Sequence, residues 1–479
     1  MITSGLAEGW LEGVLFCSGN LVKRGPRSGR LLRYYFFRTR RLTRRQLGTI
    51  QDWKLRAVFW IGALLVGLLV VGFAWAVELA SETFNRIHAY SPYIPVVMTP
   101  LGMMVIIWLM RRMGPEAQGS GIPQVLVVLK QRYHWLRPTF LSLRVIALKF
   151  VLTVLGVLCG ASIGREGPSV QIGAAMMYSV GQVGRLQQKY VDNALIVAGG
   201  AAGVSAAFNA PLAGIVFAIE ELSGSFEQRT SGTLILAIIL SGVVVLMING
   251  HYSYFGHPQG DLELTANWLA IGVVALICGL LGGLFSRLLI SGSRWLTPHA
   301  VRHPYRVVFL CGVVLVALGL LTGGATYGSG YEEARSLLDG EHVGDWSFPL
   351  AKMGATLVSY FTGLPGGLFS PSLAAGAGIG SALSGWFPES SVIGITVVAM
   401  AAFLAGVIQR PITSFVIVME LTGNRHDLLL SLMVGAFLSA AVSKLVWSRP
   451  LYDSLAERMA NGAGMAAEGR RPAGEDKTA

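Results

Sequence analysis

Residues 363–378 read GLPGGLFSPSLAAGAG and lie within a run, 353–387, that contains no charged side chain. Glycine and proline break the helical pattern in the middle of this apolar run, and residues 206–217, AAFNAPLAGIVF, break another run in the same way. Non-helical backbone at membrane depth is tolerated only inside protein or beside a water-filled cavity, because lipid cannot bond free N–H and C=O groups. The two breaks therefore predict a membrane protein with an internal cavity.

The rest of the chain carries further apolar runs. Of the 479 residues, 53% are hydrophobic and 13% are charged. A helix needs about 20 apolar residues to cross a bilayer, and several charge-free runs reach that length. The sequence therefore predicts an all-α, polytopic membrane protein that lies in a lipid bilayer. The other charge-free runs are 57–77, 95–110, 194–219, 269–285, 307–323, 391–409 and 428–443.

Positive charge is concentrated near the N-terminus. The formal net charge is +12, and twelve Lys and Arg residues lie between Lys23 and Arg56, opposed only by Asp52. Basic residues directly before a first spanning segment normally mark the cytoplasmic side of the membrane. We interpret this run as a topogenic segment that contacts lipid headgroups, and not as a nucleic-acid-binding segment. We expect the protein to lie in the inner membrane of the cell, with both termini in the cytoplasm.

The composition divides the chain into three parts. We predict a basic cytoplasmic segment over 1–49, a transmembrane domain over 50–460 and a short disordered cytoplasmic tail over 461–479, which is small and polar. The four cysteines are isolated along the chain, so they predict neither a disulfide framework nor a metal site. No cofactor is indicated. The cysteines are Cys17, Cys159, Cys278 and Cys311.

Three motifs recur in the same order about 200 residues further along the chain. Gly-Ser-Gly opens a short helical pattern, Pro-Ser opens a small-residue helix, and a proline is followed nine residues later by a glutamate. This order predicts two related halves, about 95–250 and 265–445, in inverted orientation with the substrate site at their interface. The matched pairs are Gly119 with Gly328, Pro168 with Pro371, Gly173 with Gly376, Pro211 with Pro411, and Glu220 with Glu420.

The repeated motifs indicate an anion site. Each has a Gly-rich turn followed by a helical pattern, and the free N–H groups and positive dipole end of a helix N-terminus attract anions. Broken membrane helices use such ends near the midplane of the bilayer. Ser120 adds a hydroxyl donor, so the predicted substrate is a small anion.

A carboxylate lies among these motifs in SIGREGPSVQ, residues 162–171. A charged side chain at the bilayer centre costs about 2.5–3.5 kcal/mol or more, and is therefore usually functional or paired. Arg165 could pair with Glu166 locally, but adjacent residues at a helix start point in different directions. We predict that Glu166 reaches the anion path, where it competes with the anion when ionised and releases the site when protonated.

A second carboxylate is expected to exchange protons with Glu166 from the other side. Glu220 and Glu221 end the apolar helix that begins at Pro211. One of them could carry protons, and the other could be an ordinary charged helix end. The spacing does not choose between them.

A competing motif, GASIG at 160–164, fits the nucleophile pattern of serine hydrolases around Ser162. That motif requires a strand before the serine and a helix after it. An apolar helical pattern precedes Ser162 instead. We therefore predict that the protein is not an enzyme, with an intramembrane serine hydrolase as the outside alternative.

Five segments of the chain resemble the signature segments of the CLC family of chloride channels and proton-coupled chloride transporters. They occur in the family's order and span the chain from about 50 to 460. The resemblance implies a homodimer with one anion pathway in each subunit. The segments are GSGIP (119–123), GREGPSVQIG (164–173), AAFNAPLAGIVFAIEE (206–221), GGLFSP (366–371) and RPLY (449–452).

The resemblance also implies the groups that bind chloride. The hydroxyls of Ser120 and Tyr452 match the family's central anion ligands. The backbone amides of Leu368 and Phe369 match the other donors, and Gly167 joins this set.

The same resemblance implies a gating role for Glu166 and an inner proton-transfer role for Glu221, which is typical of exchangers. The serine at Ser120 is similar to that of chloride-preferring members. Where many relatives carry carboxylates after GSGIP, this chain has Gln124 and Lys130, which offer no carboxylate for proton entry through that segment.

The predicted function is an electrogenic antiporter that exchanges chloride for protons across a bacterial cytoplasmic membrane. The alternative is a passive, gated chloride channel in which Glu166 opens the path without net proton transfer.

Overall fold

The computed structural model describes residues 50–184, 189–223, 231–250, 254–256, 268–340, 345–387, 391–423 and 426–468. Within these ranges the chain is helical and forms no β-strand. The α-helices are α1 (Ile50–Tyr90), α2 (Ile94–Met113), α3 (Ile122–Leu129), α4 (Arg137–Phe140), α5 (Leu143–Leu158), α6 (Glu166–Val183), α7 (Lys189–Phe208), α8 (Pro211–Phe217), α9 (Ser231–Asn249), α10 (Trp268–Arg302), α11 (Pro304–Leu321), α12 (Tyr331–Leu338), α13 (Ser347–Phe361), α14 (Phe369–Ser384), α15 (Val392–Ile408), α16 (Pro411–Leu421), α17 (Leu429–Val446) and α18 (Leu451–Glu468).

The helices confirm a polytopic membrane protein. In the part of the chain that the structure describes, seven helices are long and apolar enough to cross a membrane. The helical segments Arg132–Phe140 and Leu143–Leu158 are bent by 63° relative to each other, and they make an eighth span if the pair is counted as one. One of the seven, α9, is not among the charge-free runs named above. The apolar run 353–387 forms most of α13 and all of α14, with a break between them as its Gly and Pro residues predicted. The seven helices are α1, α2, α7, α9, α10, α11 and α17.

The protein core surrounds the broken helices. Every residue of α15 from Ile393 to Ile408 is buried, and α14 is buried over nearly its whole length. A membrane helix that is buried along almost its whole length lies within the protein and not against lipid. This packing holds the first turns of α6 and α14 within the protein, away from lipid.

The two halves meet at a pair of hydrogen bonds between Gly164 and Gly367. Gly164 N donates to Gly367 O at 2.8 Å, and Gly367 N donates to Gly164 O at 2.6 Å, in antiparallel orientation. Each glycine lies four residues before its motif proline, Pro168 or Pro371, so the two are equivalent in the repeat. A residue bonded antiparallel to its own equivalent lies on a local two-fold axis. The halves therefore run in opposite directions at this contact.

A second two-fold contact exchanges carboxylates between the halves. Glu420 accepts hydrogen bonds from Leu212 N at 3.1 Å and Ala213 N at 2.7 Å, in the first turn of α8. In return, Glu220 accepts two bonds, of 3.2 and 2.6 Å, from first-turn amides of α16. First-turn amides have no partner within their own helix, and the helix dipole favours an anion there. Each glutamate thus caps the broken helix of the other half.

Removing either cap is expected to weaken the fold. We expect Glu220→Ala and Glu420→Ala each to lower the free energy of unfolding in detergent by about 0.5–2 kcal/mol, the usual range for a lost N-terminal cap. Thermal unfolding of the purified variants measures the effect. Glu82→Ala is the control, because Glu82 pairs with Arg86 on the surface, where ion pairs contribute little. Capping variants that melt at the temperature of the Glu82→Ala protein would contradict the capping role.

Left-handed backbone marks the two equivalent breaks before Pro211 and Pro411. Asn209 has φ 53° and Gln409 has φ 58°, and they are the non-glycine residues with positive φ in the described ranges. Such conformations persist only where surrounding contacts hold them. The Gln409 amide donates to Trp447 O at 2.5 Å, which fixes the second break.

The two predicted end segments lie partly or wholly outside the described residues. The basic segment 1–49 is outside, and so are residues 469–479 of the predicted tail. Residues 461–468, which were predicted to be disordered, instead continue helix α18 to Glu468. The prediction of disorder was wrong for these residues because they extend a helix that is already formed from Leu451, and each residue added to an existing helix gains one hydrogen bond.

Candidate functional site

Backbone from both halves converges at the start of α6. Gly121 has φ 108°, and a Cβ atom there would lie 2.6 Å from the carbonyl oxygen of Gly167. A Cβ atom at Gly167 would lie 2.4 Å from Ser120 Oγ and 3.1 Å from Gly367 Cα. Only glycine fits at these two positions, and the close approach brings the Ser120 hydroxyl against the first turn of α6.

Glu166 is the first residue of α6, and its side chain is fully buried. Its carboxylate crosses to the other half, where Ser370 Oγ donates to Oε1 at 2.5 Å and Ser370 N lies 3.4 Å from Oε2. Ser370 is in the first turn of α14, so the carboxylate lies at a helix N-terminus that attracts anions. The Arg165 guanidinium donates to Ala74 O at 3.2 Å and lies 5.5 Å from the centre of the Tyr254 ring. Glu166 is thus held by the opposite half of the protein.

Two buried hydroxyls lie close together near this point. Ser120 Oγ and the Tyr452 hydroxyl are near enough to interact, and neither has a hydrogen-bond partner among the described residues. Buried polar atoms nearly always have a partner, so two adjacent unbonded hydroxyls indicate a binding position. The structure therefore brings together two of the predicted chloride ligands that are about 330 residues apart in the sequence.

The start of α14 adjoins the same position. Leu368 and Phe369 are both buried, and the Phe369 ring packs edge-on against Tyr452 with 5.9 Å between ring centres. Phe208 and Phe217 enclose the other sides of this ring at 6.3 and 6.2 Å. The aromatic packing fixes the first turn of α14, whose amides have no partner within the helix.

Two cavities lead towards these residues. One, the Glu166 cavity, has a volume of about 400 Å³, and the other, the Ser120 cavity, has a volume of about 450 Å³. They share no lining residue, so Glu166 and Ser120 line separate cavities. Four further carboxylates line the first cavity, which Arg165 also lines, and two arginines line the second. These are Glu78, Glu82, Glu332 and Glu333 in the first, and Arg111 and Arg458 in the second.

The structure distinguishes the two adjacent glutamates that the sequence left open. Glu220 caps α16, whereas Glu221 has a side chain that is 1% exposed and accepts a hydrogen bond from Arg410 Nε to Oε2 at 2.7 Å. Its Oε1 has no partner among the described residues. Both lie in a π-helical turn, Ala218–Ser223, which directs the two neighbours into different surroundings. Arg410 Nη2 also donates to Asp453 Oδ2 at 2.8 Å.

Ser162 lacks the geometry of a hydrolase nucleophile. It follows helix α5 and a turn, where the nucleophile motif requires a strand. Its hydroxyl lies 3.1 Å from Thr356 Oγ1, and its amide donates to Ser359 Oγ at 3.0 Å. The serine therefore serves contacts between the two halves.

Two buried lysines hold backbone close to the site, and sequence reasoning missed them. Lys149 Nζ donates to Ala117 O at 2.9 Å and Gly119 O at 2.6 Å. Lys352 Nζ donates to Gly328 O at 2.9 Å and to the two preceding carbonyls. Each ammonium thus holds the backbone that leads into a Gly-Ser-Gly turn. Both are lone charges in apolar segments about 200 residues apart, a signal that could have identified them.

Comparison with known proteins agrees with this architecture. Residues 102–444 match the sequence profile of the voltage gated chloride channel family. The chain belongs to this family. This match confirms the resemblance to the CLC family that the five signature segments indicated.

Named relatives and solved structures resemble the chain over most of its length. The H(+)/Cl(-) exchange transporter ClcA of Cronobacter sakazakii is 32% identical over 422 residues, which cover 83% of this chain and 88% of the relative. The solved structure of a slow cyanobacterial Cl-/H+ antiporter aligns with a TM-score of 0.75 at 23% identity, over 86% of this chain and 99% of that one. A CLC-type fluoride/proton antiporter aligns with a TM-score of 0.72 at 23% identity, over 85% and 99% of the two chains. The shared fold therefore does not select the anion.

Proposed function

We propose that this chain is an electrogenic antiporter that exchanges chloride for protons across a membrane. The observation that carries the proposal is the carboxylate of Glu166, bonded to Ser370 at the N-terminus of α14. An ionised carboxylate at this position takes the place of an anion. A protonated carboxyl group loses its attraction to the helix N-terminus and leaves, so that chloride and the ionised side chain alternate at one position and their binding is linked.

Chloride is bound, in this proposal, by two hydroxyls and by backbone amides. Ser120 and Tyr452 supply the hydroxyls, and Gly167, Leu368 and Phe369 supply the amides. The two unbonded, adjacent hydroxyls support this assignment, as does the position of the amides in first turns of α6 and α14. Hydroxyl and amide donors can replace the hydration of a small anion without adding a fixed positive charge that would retain it.

Glu221 is the inner proton-transfer residue in this proposal. Its carboxylate is buried, one oxygen is bonded to Arg410, and the other has no partner within the described ranges. A buried carboxylate with an available oxygen can receive a proton and pass it on. Glu220 is unsuited to this task because both its oxygens are bonded to amides of α16.

We further propose that the protein is a homodimer with one pathway in each subunit, located in a bacterial inner membrane. The relative from Cronobacter sakazakii supports the bacterial setting. The basic run over 23–56 supports cytoplasmic termini, because basic residues flank the cytoplasmic ends of spanning helices. In this arrangement, residues 1–49 are cytoplasmic, and residues 50–460 form the transmembrane domain with its halves at about 95–250 and 265–445.

Reconstituted vesicles test the proposed function. With chloride more concentrated on one side and no initial pH difference, we expect downhill chloride flow to drive protons uphill in the opposite direction. A chloride electrode and a pH indicator record the two fluxes. Chloride flow with no proton movement would overturn the antiporter and favour the gated channel. A parallel assay with fluoride measures anion selectivity, and we expect chloride to be the faster substrate because Ser120 matches chloride-preferring members.

A further inference from the structure

The inner proton glutamate of the proposed antiporter is cut off from solvent. The side chain of Glu221 is 1% exposed, and Glu221 lines neither of the two cavities described above. A proton that reaches it from the inner solution therefore needs another group. The segment after GSGIP does not offer one: Gln124 carries an amide, which accepts from Gly121 N at 3.0 Å and donates to Gln118 O.

Arg410 connects Glu221 to a second carboxylate, Asp453, that is partly exposed. Its Nε donates to Glu221 Oε2 at 2.7 Å, and its Nη2 donates to Asp453 Oδ2 at 2.8 Å. The side chains become more exposed in that order, from 1% for Glu221 through 22% for Arg410 to 35% for Asp453. We call these three residues the Arg410 bridge.

The geometry of the guanidinium sets the two carboxylates side by side. Nε and Nη2 form one edge of the planar group, the edge that usually binds a single carboxylate with two parallel hydrogen bonds. In the Arg410 bridge, two different carboxylates share that edge, so their oxygens lie within reach of each other directly or through one water molecule. Arg410 itself cannot carry the proton, because a guanidinium stays protonated in proteins.

Charge balance in the Arg410 bridge favours a shared proton. Two ionised carboxylates and one guanidinium leave a net negative charge, which is costly where Glu221 is buried. One added proton makes the cluster neutral, and carboxylates that share a site commonly hold one proton between them. Glu221 Oε1 has no partner among the described residues and can accept that proton.

We propose that Asp453 is the proton-transfer residue between the inner solution and Glu221, with Arg410 as the positioning residue. Asp453 takes a proton from water and passes it to the Glu221 carboxylate, which leaves Asp453 ionised and Glu221 neutral, and the reverse sequence returns it. The proposal rests on the proposed antiport. The proposal also explains how the chain can carry an amide at Gln124, because the Asp453 carboxylate on α18 supplies the route for proton entry that the segment after GSGIP does not.

The test is Asp453→Asn in reconstituted vesicles. The amide still accepts the hydrogen bond of Arg410, so the fold and the chloride path stay intact, but it cannot relay a proton. We expect chloride flux to persist while the ratio of proton to chloride flux falls by about 100-fold, the low end of the effect of a positioned proton-transfer group. Asp453→Glu keeps a carboxylate and is expected to restore most of the coupling.

Glu457→Gln is the matched control. Glu457 lies on the same helix, its side chain is 50% exposed, and it accepts a hydrogen bond from Arg449 at 2.8 Å without any link to Glu221. We expect this variant to couple like the wild type. An Asp453→Asn protein with wild-type coupling, or one that loses both fluxes in equal proportion, would overturn the role of Asp453. A wild-type protein that moves chloride and no protons would instead overturn the proposed function.

Discussion

Vesicles that contain the Glu166→Ala variant are expected to conduct chloride while moving no protons. Removing the carboxylate frees Ser370 and the first turn of α14 for an anion, so the chloride path stays open. No protonatable group then alternates with chloride at this position. We expect the proton flux to fall by about 100-fold or more, to the level of protein-free vesicles, as for the loss of a positioned proton-transfer group.

The pH dependence of chloride flux gives the second measurement on the same variant. Acid protonates carboxylates, and in the wild type a protonated Glu166 releases the N-terminus of α14. Wild-type chloride flux is therefore expected to rise as pH falls. The alanine variant has no such group at this position, so its chloride flux is expected to be the same across that pH range.

Two further variants control for the shape and the charge of the cavity. Glu166→Gln keeps the size of the side chain and is neutral at every pH, so we expect it to be uncoupled like the alanine variant. Glu78→Gln removes a carboxylate from the lining of the Glu166 cavity without touching Ser370, and we expect normal coupling. Retained proton transport in Glu166→Ala would refute the gating role.

The internal repeat made much of the architecture predictable. Because Pro168 and Pro371 open equivalent motifs, the sequence indicated that the two helix starts converge. The bonds between Gly164 and Gly367 agree with that prediction. Apolar runs and their breaks likewise predicted spanning and interrupted helices, since lipid imposes these features on any chain.

Contacts between distant residues could not be predicted in the same way. Glu220 and Glu221 are neighbours in one apolar segment, and only the turn of the π-helix directs one to α16 and the other to Arg410. The partner of each lies about 190 residues away, in the other half of the chain. No local sequence pattern indicates which of the two glutamates contacts Arg410, because this depends on the rotation of one short helix relative to another.

The Arg410 bridge was missed for a related reason. Arg410 precedes a motif proline and Asp453 follows Tyr452, so both looked like ordinary flanking charges in the sequence. Their significance comes from the single guanidinium edge that Glu221 and Asp453 share. A carboxylate within an apolar segment is noticeable in the sequence because burying its charge is costly. Its partly exposed partner, Asp453, has no such signal.

Glu221→Gln is the variant that tests the inner end of the proton path. The amide keeps the size of the side chain and can still accept a hydrogen bond from Arg410, which remains paired with Asp453. It cannot take up a proton. We expect chloride transport to continue, and the uphill proton flux in a chloride gradient to fall by about 100-fold or more.

Glu220→Gln is the matched control, one residue away in the same π-helical turn. Its amide oxygen can keep only part of the bonding to α16, so we expect a lower melting temperature with coupling unchanged. The pair of variants therefore separates a proton-transfer role from a capping role at adjacent positions. If Glu220→Gln loses proton transport while Glu221→Gln keeps it, the inner proton residue is Glu220, and the buried environment of Glu221 serves only to anchor Arg410.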